Sequence, residues 1–223
     1  VSLRRVIRQR RSAVAMDGKT RMSSDTFYRM LDRTLAVRGR VPFSTLPWKS
    51  HIHLALLVHR VGDIPKGLYL LVRDADQTEA LQQAITQANP WQKPPGCPEQ
   101  LPLYCLIESG TEAAARQISC HQDIASDGCF SLAMIAEYTE PLQRYGAWFY
   151  PRLYWEAGMI GQLLYLEAEA AGIRSTGIGC FFDDPMHEVL GLENRNYQDL
   201  YHFTVGGPVE DTRLTTLPAY SDK

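Results

Sequence analysis

The 223-residue sequence predicts an α+β fold: a sheet flanked by helices, without the regular β-α-β alternation of a parallel sheet. Three observations carry this. Short β-rich runs recur at residues 52–61, 68–72, 103–108, 175–181 and 200–206. A nearly continuous apolar run over about residues 154–171 is too long for a strand and reads as a buried helix. The Gly-x-Gly-x-x-Gly spacing of a dinucleotide loop is missing, since Gly177 and Gly179 are followed by Phe182, which disfavours a Rossmann domain.

In chain order, Ser23, Ser24 and Asp25 offer N-caps to a helix whose Phe27, Met30, Leu31 and Leu35 share one face. In the first strand Ile52, Leu54, Leu56 and Val58 alternate with His51, His53 and Leu57, so His51, His53 and His59 are expected to line its solvent face. A turn at residues 63–67 leads to the strand at 68–72. Asp76 with Glu79 reads as a capping box for a short helix to about Ile85, and the proline-rich segment 89–102 as loop. Residues 111–138 read as two helices broken near 123–128. The long helix has small residues at Ala157, Gly158 and Gly161, which predicts a second backbone close by, and Gly172 stands where a left-handed C-cap belongs. Asp184 before Pro185 reads as the cap of a last short helix.

With 45% hydrophobic and 22% charged residues the chain can bury a core without a staple. Five cysteines with no Cys-x-x-Cys spacing read as reduced thiols, which implies a cytoplasmic protein, and no metal site is expected. No run is long and apolar enough to span a bilayer, and no signal peptide opens the chain. Because the chain begins at Val1, it is expected to be excised from something longer.

The net charge of −2 hides an asymmetry: residues 1–60 hold 13 Lys and Arg against three Asp and Glu, and the rest is acidic. A localised anionic partner such as a phosphate or pairing within the chain on one side, and a solvated helix face on the other, account equally for the basic end. Nucleic acid is disfavoured, because no basic stripe continues past residue 60. Arg10, Arg11 and Ser12 combine two guanidinium groups with a hydroxyl, donors suited to a phosphate, although a surface role is the commoner use of such a segment. The glycines of Gly177, Ile178 and Gly179 mark either a strand bend or the close approach of another group, such as a flat aromatic ring. No catalytic acid or base is identifiable: Cys120 and His121 are only sequence neighbours, and no Gly-x-Ser-x-Gly elbow or Walker loop occurs.

Taken in order, Arg10-Arg11-Ser12, the run from Glu156 to Ala168, Gly172-Ile173, the 176–179 segment and Leu200 to Gly206 resemble the FMN-dependent nitroreductase family. Pro65-x-Gly67-Leu68-Tyr69 and Cys120-His121-Gln122-Asp123 are similar to its SagB-type branch, which includes thiazole- and oxazole-forming peptide dehydrogenases. The resemblance covers almost the whole chain. It implies one nitroreductase-like sandwich over residues 1–223, with a central mixed or antiparallel sheet, FMN between subunits, and a homodimer. A pseudo-dimer with a missing half is the alternative, since relatives in this branch can be fused tandem copies.

By position, Arg10, Arg11, Ser12 and Arg213 would hold the FMN phosphate. Gly177, Ile178 and Gly179 would lie along the flavin ring, and Ser44 would reach it. The chain has Val14 where the family often has a second basic residue, Pro42-Phe43-Ser44-Thr45 in place of Pro-Ser-small-Gly, and no Lys-Tyr dipeptide, the pair associated with azole formation. The implied function is hydride transfer between NAD(P)H or an organic donor and an electron-poor acceptor, a small molecule or a peptide. A catalytically silent dimerisation or substrate-docking module and a peptide azoline dehydrogenase are the alternatives.

Overall fold

Six strands form the centre of the computed structural model, which describes residues 2–87, 90–215 and 217. They are β1 (Ile52–Val58), β2 (Gly67–Leu71), β3 (Leu103–Glu108), β4 (Phe130–Glu137), β5 (Arg174–Ile178) and β6 (Tyr197–Gly206). The sheet order is β3-β2-β1-β4-β6-β5, with every neighbouring pair antiparallel. Leu56 of β1 sits between Tyr69 of β2 and Leu132 of β4, which puts β1 in the middle of the sheet. β5 is an edge strand, and the chain covers that edge itself: Ser12 bridges Ser175, and Ala13 N–H donates to the Ser175 carbonyl at 3.1 Å.

The α-helices among the described residues are α1 (Leu3–Gln9), α2 (Ser24–Thr34), α3 (Thr78–Ala84), α4 (Glu112–Ile118), α5 (Asp123–Asp127), α6 (Thr139–Tyr145), α7 (Tyr150–Ala170) and α8 (Asp183–Leu190). Both sheet faces are covered. On one, Phe27, Met30 and Leu31 of α2 and Leu153, Ile160 and Leu164 of α7 pack on Leu54, Leu56 and Leu132. On the other, Leu81, Ala115, Ile118, Met186 and Leu190 pack on Leu57, Leu70 and Ile135. Each large side chain buried in these layers stabilises the fold by about 1.5–3 kcal/mol. α2 begins as its sequence predicts, with Ser23 Oγ accepting from Thr26 N–H at 3.2 Å. α7 ends on Gly172 at φ 76°, the left-handed cap, and Ile173 N–H returns to the Ala168 carbonyl.

Several expectations fail for identifiable reasons. The helical reading of 111–138 holds for α4 but not for β4, and the expected break at 123–128 is itself α5. β4 is buried at all eight positions, so it shows no alternation, and its Leu, Ala, Met and Glu favour helices. The same double-sided burial overturns the solvent face expected for His51, His53 and His59, which are all buried. Asp74, not Asp76, caps the short 3-10 turn Ala75–Gln77 ahead of α3, and Asp184 lies inside the first turn of α8 without capping it. Asn89 lies outside the described residues, while 90–102 is irregular as expected.

The reduced-thiol expectation is overturned for two cysteines. Cys120 and Cys180 are joined in a disulfide across 60 residues, because the turn after α4 lies against the end of β5. Spacing cannot reveal such a pair, since only the fold brings it together. Cys97, Cys105 and Cys129 are free thiols.

α7 is less enclosed than its composition predicts. Tyr154, Trp155, Gly158 and Gln162 form an exposed stripe. Nothing lies within 4 Å of a Cβ built on Gly158, but one on Gly161 would meet Phe203 of β6 at 3.4 Å. Gly158 is therefore open to another backbone, whereas Gly161 serves the chain's own core. Among the described residues no helix is long and apolar enough to cross a membrane.

Candidate functional site

The basic segment and the glycine strand meet. Gly177 N–H donates to Tyr165 Oη at 3.0 Å, which leaves the phenol hydrogen free to donate to Ser12 Oγ at 2.8 Å. The Arg10 guanidinium lies over the Tyr165 ring, 4.8 Å from its centre, and Thr176 Oγ1 donates to the Ala13 carbonyl at 2.6 Å. The edge bridge between Ser12 and Ser175 thus carries Arg10 to the side of β5 where Gly177 lies. Ile178 is buried in the layer beneath α8, so only its backbone borders the site.

The charge at this place has a different source from a helix N-terminus. Arg10, Arg11 and Ser12 follow the carbonyl end of α1, and Arg11 Nη1 donates to the carbonyls of Arg8 at 3.3 Å and Arg10 at 2.7 Å. Any anion here would meet guanidinium groups and a hydroxyl, against a mildly unfavourable helix end.

Beside this segment a cavity of about 230 Å³ is lined by Gly158, Gly161, Tyr165, Gly177, Tyr201 and Phe203, among others. Tyr201 covers the glycine strip: a Cβ on Gly177 would stand 2.5 Å from its Oη. Burial, with Tyr165 alongside, raises the Tyr201 phenol above its ordinary value, so it stays protonated at neutral pH. Gly179 is exposed, and a Cβ there would approach Tyr201 no closer than 3.8 Å.

The structure does not bring Ser44 or Arg213 to this place. Ser44, in a 3-10 turn from Phe43 to Thr45, lines a separate cavity of about 170 Å³ with Phe43, Trp48, Lys49, Arg73 and Glu156. Glu156 and Tyr165 stand nine residues apart on α7, about 14 Å along its axis. Within one chain, Ser44 and Ser12 therefore belong to different sites. Arg213 is exposed and paired with Asp211 at 2.7 Å, and no described contact joins it to Arg10 or Ser12.

The sequence reading missed Tyr201 and Arg73. Tyr201 is on a strand of mixed polar and apolar residues, next to His202, with no motif to single it out, and Arg73 follows the apolar β2 with no flanking motif. Arg73 is buried: its Nη1 pairs with Glu156 Oε1 at 2.5 Å, and its Nε donates to the Thr34 carbonyl at 2.7 Å. The ring of Phe43 lies 4.5 Å from the guanidinium. Glu137 is held by His51 and His53. Burial would raise its carboxyl, but the two histidine hydrogen bonds outweigh that and bring it down to about 2. No group of three or more His, Cys, Asp or Glu side chains suited to a metal occurs among the described residues.

A family model described as the nitroreductase family matches residues 67–207, more than half of the chain and the part that holds β2 to β6. The chain belongs to the nitroreductase family. Solved structures agree on the fold. One from Anabaena variabilis, assigned as a nitroreductase, is 22% identical with a TM-score of 0.69 over 93% of this chain. This nitroreductase-family chain spans only 38% of that protein's length. The Escherichia coli microcin synthetase McbBCD complex with truncated pro-MccB17 bound is 18% identical, with a TM-score of 0.63 over 95% of this chain and 74% of that one. NADPH:FMN oxidoreductase from Vibrio harveyi, complexed with NAD+, is 15% identical with a TM-score of 0.54, over 97% of this chain and 74% of that one. At these identities the likeness is one of fold. No curated protein sequence matches the chain.

Proposed function

We propose that the chain is an FMN-dependent oxidoreductase of the SagB-type branch whose flavin site is completed by a second copy, or by a missing half of the same protein. The observation that carries this is the hydrogen-bonded line from Ser12 through Tyr165 to Gly177, with the Arg10 guanidinium over the Tyr165 ring beside the glycine strip. When bound, the flavin would accept a hydride from NAD(P)H or an organic donor and pass it to an electron-poor acceptor, a small molecule or a peptide. Arg10, Arg11 and Ser12 would hold the phosphate, and the backbone of Gly177, Ile178 and Gly179 would border the ring. Gly179 leaves its backbone open to a flat ring because nothing stands closer than 3.8 Å to where a Cβ would be.

The need for a second copy follows from size and position. The cavity beside Gly177 measures about 230 Å³, below the ~300–1,000 Å³ of ordinary cofactor pockets. Ser44 reaches a flavin only if it comes from another chain. Trp148, Tyr150, Tyr154 and Trp155 are exposed on and just before α7, a patch that suits an interface.

A second reading, the catalytically silent module, has one observation in its favour. Tyr165 already takes the Gly177 N–H, and Tyr201 covers the strip, so the chain's own phenols fill part of the place a ring would take. Two variants separate the readings when FMN binding is followed by quenching of flavin fluorescence. Arg10→Ala removes a charge-assisted contact of about 1.5–3 kcal/mol and should weaken FMN ten- to a hundredfold. Tyr201→Ala uncovers Gly177 and should leave FMN binding intact or tighter. A parent chain without FMN affinity that gains it on Tyr201→Ala would support the silent module. Equal FMN affinity in the parent and Arg10→Ala would remove the phosphate assignment.

A further inference from the structure

We infer that the Cys120–Cys180 disulfide is a thiol–disulfide exchange site, opened by a small thiol or dithiol from solution that attacks the Cys180 sulfur. Cys180 is exposed and Cys120 half-buried, so Cys180 is the one that a solution thiolate meets. Exposure is what separates exchangeable disulfides from structural ones. Neither cysteine belongs to the hydrophobic layers on the two sheet faces, so opening the bond leaves the core packed. The inference does not depend on the flavin reading.

The surroundings favour opening and allow reclosure. Cys120 and His121 both have left-handed backbones, at φ 53° and 58°, a conformation that residues with side chains rarely adopt. Two in succession make a turn held against its preference, and the bond to Cys180 is one of the tethers that hold it. Reduction releases that tether. Pairing of β5 with β6 ends at Ile178 opposite His202, so residues 179–182 lie beyond the ladder. They are tied to the turn between α4 and α5 by two hydrogen bonds that involve no sulfur. Gln122 Nε2 donates to the Cys180 carbonyl at 3.0 Å, and Phe182 N–H donates to the Ile118 carbonyl at 2.7 Å. Both can persist when the disulfide is cut, which keeps the two thiols close enough to pair again.

In the exchange a thiolate bonds to Cys180 Sγ as the bond to Cys120 breaks, and Cys120 leaves as a thiolate that takes up a proton. A second thiolate, or the other arm of a dithiol, attacks the sulfur that the first carried in and releases Cys180. Two electrons pass from the reductant, which ends as its own disulfide, to the protein, which ends with two thiols. The chain's other cysteines do not supply the attacking group. Burial raises the thiols of Cys97, Cys105 and Cys129, that of Cys129 to about 11, so they stay protonated at neutral pH.

Two measurements on the oxidised parent chain, without flavin, test the inference. In the first, the folded chain is treated briefly with reduced glutathione, quenched with acid, alkylated and mapped by mass spectrometry. Glutathione should be found on Cys180, with the alkyl label on Cys120, in at least tenfold excess over the reverse. In the second, dithiothreitol reduces the chain at several urea concentrations below its unfolding transition, with circular dichroism confirming the fold. The rate should rise in proportion to dithiothreitol and change less than twofold with urea, because the folded chain is what reacts. Glutathione on Cys120 as often as on Cys180 would overturn the inference. So would a bond that resists both reagents until urea unfolds the chain, the behaviour of a structural staple. Either failure leaves the flavin reading standing, and a chain that exchanges but binds no FMN would remove the flavin reading alone.

Discussion

Replacing Glu156 by glutamine should destabilise this protein far more than its modest change in shape suggests. Glu156 and Arg73 are both buried, and their ion pair sits between α7 and the ends of β1 and β2. Glu156 also accepts from Ser50 Oγ and, at 2.9 Å, from His51 N–H, so one carboxylate holds three donors. The glutamine keeps the volume but leaves the Arg73 charge without its counter-ion. Burial already pushes the Arg73 guanidinium below its ordinary value, and Glu156 is what opposes this. Breaking a buried pair in this way costs about 3–5 kcal/mol. That is a large share of the roughly 5–15 kcal/mol that holds a typical domain folded. For a chain of this size it corresponds to a fall in Tm of about 6–20 °C. Thermal and urea melts followed by far-ultraviolet circular dichroism measure it directly. Glu156→Met combined with Arg73→Met is the control: it removes both charges and should recover most of the loss, short of the Thr34 and Ile52 carbonyls that Arg73 now satisfies. A Glu156→Gln variant within about 1 kcal/mol of the parent, or a double variant no better than the single, would refute the reasoning.

Two further predictions follow from buried groups. Burial pushes the His59 imidazole from its ordinary 6.5 down to about 4, so the unfolded chain takes up a proton that the folded one refuses. That stability is complete above pH 6.5 and falls by about 3 kcal/mol as pH drops toward 4, as comparison of urea midpoints in the parent and His59→Gln would detect; identical pH profiles would count against it. For the Cys120–Cys180 disulfide, thiol titration of the unfolded chain should find three reactive cysteines without reductant and five with it, and Cys180→Ser should cost up to about 4 kcal/mol for a closed loop of this length. Five reactive cysteines before reduction would refute the pairing.

Much of this fold was legible because its strands and helices obey local rules. Leu103–Glu108 reads as a strand at its observed bounds, and Ser23 and Gly172 mark helix ends by the chemistry of caps. What failed lies where tertiary burial overrides pattern. β4 has no alternation because both of its faces are covered, and His51, His53 and His59 are buried because Glu137, Thr111 and the Ala125 carbonyl satisfy them from other elements. At the site, Arg10 to Ser12 and the Gly177 strip could be named from sequence, and the structure joins them. Their link through Tyr165 could not, because it spans 153 residues from Ser12. Ser44 was assigned to the flavin by order in the chain, and order alone does not say which copy of a chain a residue serves.

The central claim is that a flavin site exists here and needs two copies of the fold. Sedimentation velocity of the chain with added FMN, followed both in the protein band and in the visible flavin band, tests it most directly. The account predicts that flavin absorbance moves with a species of twice the 25.2 kDa chain mass and is missing from any monomer boundary. Flavin travelling stoichiometrically with the monomer, or a dimer that carries no flavin, would contradict it.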